Sequence, residues 1–370
     1  MPSRPHSAEL AERGSSAPVE PLSPRRVGRR LVQSAAAVLV LVALVLALPG
    51  LADLRRHLAH AAPGWVAGGV ALELLSALAY VVIFRSVFCA RMSWRLSYQI
   101  GMTEQAANSM LSASGAGGLA VGVWALHRLG MSRERIARRT AAFFLLTSMA
   151  NLAGVIAFAL LYLLGVLAHD PDPALTYSFG AAALIATGLV LALPAVIRHV
   201  PLQGSGARRP SRVVSALRLL RYSVTEGVRD GLMLLRRRST GVIAGSVGTV
   251  AFDLAVLGVC FRAFGDSPPI GVLVLGYLIG QLGGNLPIPG GLGGIDAGLV
   301  GTFALYHQPV VQATAAVLVY HAISLWVPTL FGSAALLQLR KTLAREHHPV
   351  EICAPPPAPI QPVAQPSLAR

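Results

Sequence analysis

The chain has 370 residues, 54% of them hydrophobic and 13% charged, with a mean hydropathy of +0.61 and a formal net charge of +15. Apolar runs of about 20 residues recur along it, each long enough to cross a hydrocarbon core of about 30 Å, which excludes a water-soluble globular protein. The positive charge does not argue for nucleic acid, because the arginines fall in the gaps between apolar runs, where cytoplasmic loops of membrane proteins are basic. The expected class is an all-α polytopic membrane protein.

Residues 1–24 are rich in Ser, Pro and Ala and read as a disordered tail. Arg25, Arg26, Arg29 and Arg30 precede an apolar run over 31–48. The spans that follow favour a retained first helix, N-terminus inside, over a cleaved signal peptide. A span at about 65–84 returns to the basic side at Arg85, Arg91 and Arg95. Residues 97–126 are weakly hydrophobic and interrupted by SASGAGG, and Arg128, Arg133, Arg135, Arg138 and Arg139 follow. Basic flanks at both ends make this stretch a re-entrant hairpin, or two short spans, that begins and ends inside.

The next span, 140–167, crosses outward to the acidic loop HDPDP, and 174–197 crosses back. The loop 198–239 is the most basic part of the chain and contains a segment with helical periodicity. It is expected to lie on the inner leaflet and gather anionic lipid. Residues 241–264 cross outward, 270–307 form a second broken hairpin opening outside, and 310–337 return before Arg340, Lys341 and Arg345. A Pro-rich tail, 341–370, is expected to be disordered. The layout is one transmembrane domain, 25–340, of about six full spans and two oppositely oriented Gly/Pro-broken hairpins. Both termini fall in the cytoplasm, and the cytoplasmic membrane is the expected location.

The hairpins point to an inverted repeat. Glu73 in ALELLSALAY and Asp253 in AFDLAVLGV lie 180 positions apart in the spans before them, and the breaks at Gly115–Gly118 and Gly290–Gly293 lie 175 apart. Secondary transporters are built this way, with broken helices meeting near the midplane. Glu73 and Asp253 are the leading candidates for a substrate or proton pathway, since a charge at the centre of a span costs about 3 kcal/mol by insertion scales. Asp296, near the start of the second arm, is expected to pair with a cation, Arg262 and His321 being the options. Gln281, Asn285, Glu104 and Asn108 add polar groups to the two hairpins; helix–helix hydrogen bonding is the alternative role. Pro287 and Pro289 break the second hairpin, and non-helical backbone at membrane depth belongs where it lines a polar cavity. Cys89, Cys260 and Cys353 are scattered and imply neither a disulfide framework nor a metal site. No catalytic constellation, cofactor motif or Walker motif stands out.

The run LPIPGGLGGIDAGLVG, followed by VLVYHAISLWVPTLFGSAAL, resembles the signature of the lysylphosphatidylglycerol synthase transmembrane family, over most of 31–340. The element Pro287, Pro289, Gly290, Gly291 and Gly293, followed by Asp296, is its most specific part. The chain departs from the family pattern at His321, where arginine is frequent, and at Ser112–Gly115, where a Pro-Gly element is frequent. The resemblance implies a flippase-like module that moves a phospholipid or a headgroup-modified lipid between leaflets. With few residues after Leu337, it implies no attached aminoacyl-transferase domain and a transporter rather than an enzyme. The alternative is a non-transporting accessory subunit for a lipid-modifying or glycosyl-transferring partner enzyme.

Overall fold

The computed structural model describes residues 56, 59, 61–110, 116–165, 173–198, 212–265, 267–283 and 294–345. The expected first span at 31–48, the N-terminal tail and residues 346–370 lie outside the described residues, whereas residues 341–345, expected in the disordered C-terminal tail, are helical. Among the described residues ten helices follow in order: α1 (Pro63–Phe88), α2 (Trp94–Met110), α3 (Ala116–Arg128), α4 (Arg133–Leu163), α5 (Pro173–Arg198), α6 (Arg212–Arg236), α7 (Thr240–Arg262), α8 (Ile270–Gly283), α9 (Gly294–Leu305) and α10 (Val310–Arg345). No strand occurs among the described residues. Five of the described helices, α1, α4, α5, α7 and α10, are long and apolar enough to cross a membrane.

The two expected hairpins are helix pairs, α2–α3 and α8–α9. The described helices of the second pair have 14 and 12 residues, a rise of about 20 Å each at 1.5 Å per residue. Two expected boundaries shift. Helix α4 begins at Arg133 rather than near 140, because the Ser132 side chain accepts from the Arg135 amide at 3.4 Å and caps it. Helix α10 runs on to Arg345, a full 36 residues. The basic segment is helical as expected, yet α6 does not only face lipid: it packs on α4, and its Asp230 carboxylate meets Arg138 Nε at 3.1 Å and Arg139 Nε at 3.7 Å. The cysteine expectation is corrected at one position. Cys89 is disulfide-bonded, whereas Cys260 is buried and free; pairing depends on the fold rather than on spacing.

The helices obey one exchange rule. Swapping α1, α2, α3 and α4 for α7, α8, α9 and α10 reproduces the packing: α1–α2 matches α7–α8, α2–α3 matches α8–α9, α3–α4 matches α9–α10, and α1–α4 matches α7–α10. Contacts between the halves pair in the same way, α2–α10 with α4–α8 and α1–α10 with α4–α7. Helices α5 and α6 are inserted between the halves.

Helices α1 and α7 form the central pair and run antiparallel along their whole length. The Ala62 amide donates to the Ala263 carbonyl at 2.9 Å, Gly69 faces Val259, and Gly245 faces Ile83. Ser76 Oγ bonds the Thr249 carbonyl at 3.4 Å between them. A Cβ on Gly245 would lie 2.6 Å from the Ile83 amide nitrogen, so only glycine permits this approach. Such contacts supply the packing that lipid, as apolar as the side chains, does not drive. Two large clusters make up most of the core, and a small third one joins Ala77, Val81, Met102 and Ala335. One cluster centres on Leu257, Leu275 and Phe303 and takes in Phe158 of α4. The other centres on Phe84, Ile100 and Leu129 and takes in Leu339 of α10.

Candidate functional site

The antiparallel register of α1 and α7 places Glu73 beside Asp253, near the middle of both helices, close enough for their charges to interact. These are equivalent positions of the two repeats and also neighbours across the pair, the condition for residues on a two-fold axis. The spans carrying them are otherwise apolar at this level, so sequence alone marked both.

Around them the symmetry fails. Asp253 Oδ2 accepts three hydrogen bonds, from Tyr277 Oη at 2.7 Å, Tyr320 Oη at 3.1 Å and Gln281 Nε2 at 3.4 Å. Tyr277 and Gln281 stand one turn apart on α8, and Tyr320 comes from α10. Both tyrosines are 4% exposed. Glu73 is 5% exposed, yet its Oε2 has no hydrogen-bond partner. The corresponding glutamine of the first hairpin, Gln105, bonds the Ala77 carbonyl at 3.5 Å instead. Two helices of the second repeat, α8 and α10, thus direct their donors to Asp253 on α7, and Glu73 of α1 has none at Oε2.

Asp296, in the first turn of α9, pairs with His321 Nδ1 of α10 at 3.0 Å. The imidazole, not Arg262, supplies the expected partner. Arg262 lies at the end of α7, 5.9 Å over the Trp65 ring, and joins neither acid. Since Tyr320 and His321 are consecutive on α10, that helix links the Asp253 cluster to the Asp296 pair.

Glu104 and Asn108 form a separate group in the first hairpin. Asn108 Oδ1 accepts the Gly118 amide at 2.8 Å, satisfying one of the orphan donors in the first turn of α3. Glu104 is buried beside Tyr80, and its carboxyl occupies space left by Gly122. These residues close α3 onto α2. In the second hairpin the same close approach is apolar, Gly280 against Leu299 and Gly276 against Phe303. Asn285, Pro287, Pro289, Gly290, Gly291 and Gly293 lie outside the described residues. Among the described residues, no group of three His, Cys, Asp or Glu is placed to hold a metal ion.

Sequence reasoning missed Tyr277 and Tyr320. The spacing of Tyr277 to Gln281 on one helix face was a usable signal. Tyr320, inside an apolar run, was not distinguishable from a core aromatic.

Two likenesses to known proteins accompany this geometry. The model of the lysylphosphatidylglycerol synthase TM region matches residues 32–332. A UPF0104 membrane protein of Methanothermobacter thermautotrophicus is 39% identical over 99 residues, a stretch covering 26% of this chain and 28% of that protein.

Proposed function

The chain belongs to the lysylphosphatidylglycerol synthase transmembrane-region family, and on that premise we propose that it translocates a lipid between the leaflets of the cytoplasmic membrane. The observation that carries this reading is the carboxylate cluster itself: Asp253 with Tyr277, Gln281 and Tyr320, beside Glu73, where the two repeats meet. Ionisable residues inside spans face cavities, pair, or serve substrate and proton pathways. Inverted repeats place substrate sites near the midplane between their halves. A headgroup would cross along the polar groups of the two hairpins while its acyl chains remain in the bilayer.

A headgroup bearing an amine suits this cluster best. Asp253 and Glu73 have no arginine, lysine or histidine partner among the described residues, so a substrate cation can complete the charge balance. In this reading both termini face the cytoplasm, and the arginines of α6 and its flanks hold anionic lipid at the inner leaflet.

Leaflet exchange in proteoliposomes tests the proposal, using headgroup-labelled lipids of cationic, zwitterionic and anionic type. Wild-type protein is expected to exchange the cationic lipid, and Asp253→Asn to lose that exchange while inserting at normal abundance. Well-folded protein that exchanges none of the lipids would reject translocation. It would favour an accessory role beside a lipid-modifying enzyme.

A further inference from the structure

The proton has a place in this cluster that lipid translocation alone does not require. Asp253 Oδ2 receives three donors, the environment of an ionised carboxylate. Glu73 receives none at Oε2, is 5% exposed, and feels the charge of Asp253. Two adjacent carboxyls in a low dielectric do not both ionise without a counter-cation, and they behave as one coupled pair. The other titratable groups bearing on the pair are Tyr277 of α8, Tyr320 of α10 and Cys260 of α7, all neutral in their ordinary forms. His321 of α10 and Asp296 of α9 are occupied with each other, and Arg262 stands more than two turns away along α7.

We propose that Glu73 and Asp253 form a proton-exchange site, at which the ammonium of an amine-bearing headgroup replaces a single proton held on Glu73. The exchange balances. When the headgroup arrives, the O–H bond of Glu73 breaks and its proton leaves to water. The pair then carries two negative charges and the ammonium one positive. Before and after, the site holds one net negative charge, so the charge of the buried cluster does not change as it loads or empties. Translocation of the cation in one direction is thereby coupled to movement of a proton in the other. The inference rests on the translocase reading for the identity of the headgroup, not for the existence of the proton.

Titration of detergent-solubilised full-length protein with lysylphosphatidylglycerol, and separately with phosphatidylglycerol, decides it. Calorimetry in two buffers of different protonation enthalpy counts the protons released on binding. Wild type is expected to release about one proton per lysyl lipid bound and none with phosphatidylglycerol. The infrared C=O band of a protonated carboxyl should fade as the lysyl lipid binds. Glu73→Gln keeps the shape of the neutral acid, so it should fold, lack that band, release no proton and bind the lysyl lipid at least tenfold more weakly. Failure of wild type to bind the lysyl lipid, binding without proton release, or release that persists in Glu73→Gln overturns the proposal. Leaflet exchange is read separately. Exchange without proton release rejects the coupling and leaves translocation standing, whereas proton release without exchange does the reverse.

Discussion

Asp253 and Glu73 carry the same charge type at equivalent positions, and their surroundings separate them. The sequence marked both acids because each interrupts an apolar span. It could not rank them, since rank depends on which hairpin turns its donors inward. Tyr320 tests the ranking. Tyr320→Phe removes one donor from Asp253 while keeping the ring, and an interhelical hydrogen bond in membranes contributes about 1 kcal/mol. Transport of the favoured lipid is expected to fall about fivefold with little change in abundance, measured by initial exchange rate and yield of solubilised protein. An unchanged rate would mean that Tyr320 only packs. Asp296 shows the other side of legibility: a single acid near a helix start could be expected to take a partner, but the choice between Arg262 and His321 required the packing of α9 on α10.

Among the helices, hydropathy and charge located every described span and both broken hairpins, with boundaries moving by a few residues where a cap or an extended basic end intervened. What hydropathy did not convey is which helices touch. The α1–α7 pair depends on Gly245, whose missing Cβ lets the Ile83 backbone approach. Gly245→Val is expected to cost about 3 kcal/mol through overpacking, seen as a lowered Tm and reduced yield of monodisperse protein. Gly68 lies on α1 with nothing within 4 Å of an added Cβ; Gly68→Val should stay within about 0.5 kcal/mol of wild type. Equal effects at both glycines would show that the α1–α7 approach does not limit stability. Helix α6 teaches a related lesson. Its amphipathic pattern suggested a lipid surface, and part of that pattern instead serves Asp230 and the glycines that seat it on α4.

At the scale of the molecule, the exchange rule predicts that the mouths of the two hairpins open on opposite sides. Ser93 precedes α2 and Val310 follows α9, both exposed. In a background without native cysteines, Ser93→Cys and Val310→Cys are expected to react with an impermeant maleimide from opposite faces of the membrane. Reaction from the same face would refute the inverted arrangement.

Apolar runs, their arginine-rich gaps, the glycine and proline breaks and the two isolated acids by themselves determined a polytopic helical protein with paired hairpins. They do so because the bilayer imposes length, orientation and backbone satisfaction on each segment separately. The pairing of Glu73 with Asp253, the gathering of Tyr277, Gln281 and Tyr320 around only one of them, and the match of His321 to Asp296 were decided by tertiary structure alone. Each joins residues from different helices, and the antiparallel register that brings them together follows from backbone approach between helices far apart in the chain.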